Sequence, residues 1–293
     1  MVCRGERGPD TNDIEERYNH GSFVMLGSSV ARPIAGWQIR GASLNEGKGA
    51  ASEEGLWYNV DMQIRQILRV SDQGVSRPYQ CLDELGNVRW CKGNHTGLRS
   101  LMCEWVCGRI GRALGLPVPP CDILRLDFRM FDDWRKCKGV DLPRLVTEVN
   151  PYVFGSVHVA DAKDVFDIDT DLRLDDPLLL AKIYLFDELV RNTDRTEYNT
   201  NLLSNAGVHV IDHNNAFDPA FDSAVFSREH ALRRFREATE PKSVEAFKVE
   251  MRTVLTEAFL NEVWTEMPTE WTESGGVDLS LDGIKDVLAK GLA

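Results

Sequence analysis

From Met62 onward the pattern of apolar and polar positions becomes regular and strand-like. Gln63-Ile64-Arg65-Gln66-Ile67-Leu68-Arg69-Val70 reads as a strand, Asp72 to Pro78 as a turn, and Tyr79 to Leu82 as a second strand. Asp83 to Asn87 turns again, and Val88-Arg89-Trp90-Cys91-Lys92 makes a third strand. A helical period follows from Leu98 to Leu114, with Met102, Val106, Ile110 and Ala113 on one face, stopped by Gly115 and Pro117. Ile123 to Leu126 and Arg144 to Val149 read as further strands. Together these predict a small antiparallel sheet with one helix.

After about residue 160 the character changes. Pro177 to Val190 is a strongly apolar helix carrying Leu178, Leu179, Ala181, Leu185 and Leu189. Leu202-Leu203 and Val208 to Ile211 read as short strands, and three helical stretches follow: Arg228 to Ala238, Ser243 to Trp264, and Leu279 to Leu292. In the second of these, Phe247, Met251, Val254, Leu255 and Ala258 form a packing surface. The expected class is α+β with two lobes, 62–150 sheet-rich and 151–293 mainly helical, and a cleft between them is the natural place for a site. Residues 1–61 show no sustained period and are rich in Gly, Ser, Asn and Glu, as in Gly41 to Gly49. They read as a poorly structured, dispensable extension, with Met62 as an alternative start.

Composition narrows the function classes. A net charge of −12 is the wrong sign for a broad nucleic-acid footprint, so no direct nucleic-acid binding is expected. No apolar run of about 18 residues is present, and the first residues lack the apolar stretch of a secretion signal, which points to a cytoplasmic protein without membrane contact. The cysteines (Cys3, Cys81, Cys91, Cys103, Cys107, Cys121 and Cys137) include no Cys-x-x-Cys pair. They read as reduced, buried thiols and not as metal ligands.

The densest chemistry lies in Arg191-Asn192-Thr193-Asp194-Arg195-Thr196-Glu197-Tyr198-Asn199-Thr200-Asn201, followed by Val210-Ile211-Asp212-His213. A polar loop after a helix carries Asp194 and, five residues on, Asn199. A short hairpin then delivers Asp212. Phosphoryl transfer needs these types in this order: one carboxylate to take or orient a hydroxyl proton, and an amide oxygen with a second carboxylate to hold Mg²⁺. Taken singly, Asp194 reads as a turn or cap residue, Lys92 as a surface lysine and Glu104 as an exposed helix residue. Placed together, they carry the functional reading. His209 and His213 lack a third ligand for zinc, Arg195 reads as a residue that holds the loop, and Trp90 and Trp105 read as packing residues.

The loop resembles the Asn-x-Asp-Arg-x-x-x-Asn segment of HipA-like kinases and, more loosely, that of phosphatidylinositol kinases. Asp212 to Phe217 is similar to that family's metal-binding Asp and the segment after it. Leu101 to Trp105 and Gly111 to Pro120 resemble its first-lobe helix and following turn, and Val153 to Val157 its hinge. The resemblance spans about 62–225 and implies a two-lobed protein-kinase-like fold. It also implies ATP and Mg²⁺, with Asp194 as catalytic base and Asn199 and Asp212 as metal ligands. Lys92 would contact the α- and β-phosphates and be oriented by Glu104. Gly74 and Ser76 would lie in the phosphate-covering turn, and Phe154 and Ser156 in the segment to Val159 that offers main-chain groups to adenine. The chain departs from the family at Thr196, where relatives commonly carry His. It has a single glycine, Gly74, in the phosphate turn, and nothing like the Asp-Phe-Gly of ordinary protein kinases.

The implied activity is phosphorylation of a Ser or Thr hydroxyl on a protein. Three alternatives stand beside it: a small-molecule or lipid kinase or nucleotidyltransferase on the same fold, a silent kinase-fold module binding an antitoxin-like partner, and a carboxylate-metal phosphohydrolase.

Overall fold

Three antiparallel strands open the architecture: β1 (Ile64–Val70), β2 (Tyr79–Asp83) and β3 (Val88–Lys92). The β2–β3 turn is built on Asp83. Its buried carboxylate accepts from the N–H groups of Leu85 (3.0 Å) and Asn87 (2.7 Å) and pairs with Arg89 at 2.9 Å. The computed structural model describes residues 62–71, 76–127, 145–172 and 175–293, all within one compact unit, Leu56–Ala293. The extension expected over 1–61 therefore lies outside the described residues.

Helix α1 (Leu98–Ala113) ends as its sequence predicts. Gly115 takes a positive φ of 67°, and the Leu116 N–H returns to the Gly111 carbonyl at 2.9 Å, closing the last turn. Strands β4 (Cys121–Arg125) and β5 (Tyr152–Val157) complete a five-stranded sheet in the order β1-β2-β3-β5-β4. Gly108 lets α1 lie close on this sheet, since a Cβ there would come within 2.7 Å of the Cys121 sulfur.

The remainder is mainly helical. A small sheet of β6 (Lys163–Asp164), β7 (Leu202–Ser204) and β8 (Val208–Val210) stands beside α2 (Ile168–Asp171) and α3 (Pro177–Leu189). Helix α3 starts at Pro177 with the Asp176 side chain accepting from the Leu178 N–H at 2.9 Å. Then come α4 (Ser223–Glu229), α5 (Arg233–Ala238), α6 (Pro241–Val254), α7 (Glu257–Thr265), α8 (Thr269–Thr272) and α9 (Leu281–Leu292). One apolar core joins α1 to α3 and the C-terminal helices, and a smaller one covers the other sheet face with Leu145 and Val146. Among the described residues no helix is long and apolar enough to cross a membrane.

The α+β class, with a sheet-rich first part and a helical second, holds. Four details differ from expectation. Residues 145–149 form no strand: Thr147 and Asn150 bond each other in a turn, and the strand starts at Tyr152. Because β5 lies between β3 and β4, the sheet runs on to Val157, past the expected division at 150. The stretch 228–238 is broken at His230, whose buried imidazole bonds Asp187. The stretch 243–264 is broken at Thr256, whose hydroxyl caps α7 by accepting from the Phe259 N–H at 3.2 Å.

Candidate active site

Lys92, at the end of β3, lies between two carboxylates. Its ammonium is 2.5 Å from Glu104 Oε1 on α1 and 2.7 Å from Asp212 Oδ1 just after β8. Glu104 uses its other oxygen to accept the His213 N–H at 3.1 Å, so one carboxylate ties strand, helix and turn together. Burial by itself would lower the Lys92 pKa, but Glu104 first and then Asp212 raise it, keeping the ammonium charged. For Asp212, burial opposes ionisation and the Lys92 ammonium outweighs it, leaving the carboxyl below its usual range. Asp212 also has a φ of 60°, a left-handed conformation that costs a non-glycine residue on the order of 1–3 kcal/mol and persists only where the surroundings fix it.

These groups face a cleft of about 690 Å³. Its roof comes from alternate residues of two paired strands. Lys92 is registered with Phe154 and Trp90 with Ser156, so all four side chains share one face. Leu202 and Val210 of the β7–β8 hairpin are apolar residues of the lining, and Asn199, Asp212 and Ser76 bring polar groups to it. The combination is a largely apolar cleft that also presents a cation and a carboxylate, a polarity that suits a nucleotide.

The loop after α3 is held from below by a buried charge pair. Arg195 Nε is 2.6 Å from Asp187 Oδ2, and both side chains are fully buried. The guanidinium also donates to the carbonyls of Thr200 (3.0 Å), Asn201 (2.5 Å) and Ile211 (3.4 Å). Asp187 accepts further from Asn192 Nδ2 at 2.8 Å and from His230 Nε2 at 3.1 Å. Burial raises the cost of charging Asp187, but Arg195 and His230 prevail and hold its pKa well below the ordinary value. Above this network Asp194 accepts from Asn199 Nδ2 (3.1 Å) and Asn201 Nδ2 (3.2 Å).

The structure thus brings Lys92, Glu104 and Asp212 into contact and puts Ser76, Phe154, Ser156 and Asn199 on the same cleft. Asp194 is bonded to Asn199 without itself lining the cleft. Gly74 lies outside the described residues. The main chain of Phe154 and Ser156 is taken up by pairing with both neighbouring strands, so these residues meet the cleft through side chains, contrary to expectation. Trp90, expected to pack, instead roofs the cleft, whereas Trp105 is buried as expected. Asp187, Asn201 and His230 went unread. The sequence signal for Asp187 was a carboxylate in a largely apolar helix whose other charges are Lys182 and Glu188.

An antiparallel sheet with one helix, a helical second part and a lysine–glutamate pair in contact with a carboxylate on a cleft define the protein-kinase-like class. The model of the HipA-like kinase family matches residues 64–292, and the chain belongs to that family. No curated protein matches it by sequence. Among solved structures it is similar to the Helicobacter pylori proinflammatory kinase CtkA, with 12% identity over 79% of this chain and 92% of that one and a TM-score of 0.45. It is also similar to Golgi casein kinase, with 14% identity over 80% and 71% and a TM-score of 0.47. A second structure of that kinase, with Mn/ADP bound, has 14% identity over 80% and 73% and a TM-score of 0.41.

Proposed function

We propose that the chain transfers the γ-phosphate of ATP to a protein Ser or Thr hydroxyl. The observation that carries this reading is Lys92, held at 2.5 and 2.7 Å between Glu104 and Asp212 at the polar end of the cleft. In the proposal Lys92 meets the α- and β-phosphates, Glu104 keeps it in place, and Ser76 borders the phosphate end. Phe154 and Ser156 line the slot for the base. Asp212 and Asn199 fit Mg²⁺ by the chemistry of their donors: a carboxylate kept ionised, and an amide whose nitrogen is spent on Asp194 so that its oxygen is left for the metal. Bound Mg·ATP would supply the electrophilic phosphorus and neutralise its charge.

Asp194 is the proton acceptor. Amide N–H groups from Asn199 and Asn201 fix its carboxylate in place. A protein acceptor is supported by the open rim of the cleft, where Tyr198 is 100% and Phe166 82% exposed beside this loop. A small-molecule site would be expected to bury such aromatics.

The test is transfer of label to bulk protein from [γ-³²P]ATP and from [α-³²P]ATP, by wild type and Asp194→Ala. Label should come from the γ-phosphate alone and fall by roughly two to four orders of magnitude in the variant, while Mg·ATP affinity stays within a few-fold. Label from the α-phosphate would mean nucleotidyl transfer. Undiminished γ-transfer by Asp194→Ala would overturn the mechanism.

A further inference from the structure

The roof of the cleft works as a ruler. Lys92, Trp90 and Val88 follow one another on the cleft face of β3, and Phe154, Ser156 and His158 run opposite them. Residues two apart on a strand are about 7 Å apart. A nucleotide whose phosphates meet Lys92 therefore puts its base beneath Trp90 and His158.

At that end two of the main-chain donors are spent. The Val157 N–H goes to the Pro120 carbonyl at 2.7 Å and the His158 N–H to the Val88 carbonyl at 2.9 Å. A side-chain donor stands there as well. The Trp90 indole donates Nε1–H to His158 Nδ1 at 3.0 Å, with the two rings edge-to-face at 6.0 Å between centroids. That bond makes Nδ1 the acceptor, so the neutral imidazole carries its proton on Nε2. Both rings line the cleft, and among the described residues Nε2 has no partner. Burial lowers the pKa of His158, as does the guanidinium of Arg69, which lies 5.4 Å over the Trp90 ring; Asp161 pulls the other way. The net direction keeps the imidazole neutral and the tautomer single.

We propose that His158, oriented by Trp90, is the residue that reads the nucleobase, donating Nε2–H to a ring nitrogen of a purine. The proposal rests on the nucleotide reading above and deepens it. The site selects a purine nucleoside triphosphate that offers an acceptor at this edge, and a base with an N–H there would oppose the donor.

The experiment is calorimetric titration of Mg·ATP, Mg·1-deaza-ATP and Mg·7-deaza-ATP into wild type, His158→Phe and Trp90→Phe. Each analogue lacks one ring nitrogen. Wild type should bind one of the two analogues roughly 2- to 12-fold more weakly than ATP, the range of a single net hydrogen bond. His158→Phe should lose the same factor on ATP and no longer distinguish that analogue. Trp90→Phe keeps an aromatic roof but frees the tautomer, so it should show a smaller discrimination than wild type. If His158→Phe binds ATP as wild type does, or keeps the full penalty for the analogue, the proposal is overturned. A wild type with no affinity for any of the three would overturn the nucleotide reading itself, and the proposal with it.

Discussion

Replacing Arg195 by Met should cost more than any other single change in the loop that carries Asp194. The guanidinium is fully buried, makes two contacts to Asp187 at 2.6 and 3.4 Å, and satisfies the carbonyls of Thr200, Asn201 and Ile211. Methionine fills most of the volume and none of these bonds. Breaking a buried ion pair by removing one partner costs on the order of 3–5 kcal/mol, because the other charge is left unpaired. Asn192 and His230 still reach Asp187 and reduce that sum, while the orphaned carbonyls add to it at roughly 1 kcal/mol each. A loss of about 4 kcal/mol is expected, out of the roughly 5–15 kcal/mol that stabilises a domain. At about 2–4 °C per kcal/mol, the midpoint should fall by roughly 8–16 °C.

Urea unfolding followed by circular dichroism reads this directly. Arg195→Lys keeps the charge but not the fork of donors, so it should fall between wild type and Arg195→Met. In the double variant Asp187→Leu/Arg195→Met no buried charge is left without its partner, and it should be more stable than Arg195→Met alone. Stability of Arg195→Met within about 0.5 kcal/mol of wild type, a change as small as an ordinary surface substitution, would refute the reasoning.

Two further outcomes follow from the same geometry. Asp212→Ala should weaken Mg·ATP binding more than Asn199→Ala does, since one removes a full charge and the other a dipole; calorimetric affinities that stay equal and undiminished in both would refute the metal assignment. Native stability should fall as pH drops below about 6.5, because burial lowers the His230 pKa and the unfolded chain then binds a proton that the fold resists. The contribution is at most ~1.4 kcal/mol per pH unit. His230→Gln should flatten that part of the urea-midpoint profile between pH 7.5 and 5.5, and an unchanged slope would show that His230 does not carry it.

Local chemistry made much of the fold legible. The stop at Gly115 and the start at Pro177 are set by backbone geometry that the sequence shows outright. The order and spacing of Asp194, Asn199 and Asp212 singled them out, and the structure puts Asn199 and Asp212 on one cleft with Asp194 bonded to Asn199. What could not be read depends on distant partners. His230 breaks a helical stretch because Asp187, 43 positions away, is buried beneath it. Leu145 to Val149 has the composition of a strand, but the Thr147–Asn150 turn holds it, with the Asn150 side chain bonded to Asn94 at 2.5 Å and to the Trp271 indole at 3.1 Å. Trp90 looked like packing because no local pattern shows that its face of β3 opens onto a cleft.

Helix α1 was read as one-sided, and the difference matters for function. Met102, Val106 and Ile110 are buried as expected, but Ala113 is exposed, and every residue from Ser100 to Gly111 is buried. One side packs on β4 through Gly108 and Cys121. The other is held by the C-terminal region: the Trp105 indole donates to the Val263 carbonyl at 3.1 Å, Arg109 pairs with Glu262 and Glu266, and Arg99 pairs with Asp278, just before α9, at 2.9 Å. Withdrawing this helix from Lys92 would expose apolar surface all round it, at about 25 cal/mol for each Å², and would break the Arg109 pairs with Glu262 and Glu266. The contact between Lys92 and Glu104 is therefore built on the core that encloses the helix, which under the proposed function keeps the phosphate-binding lysine in place.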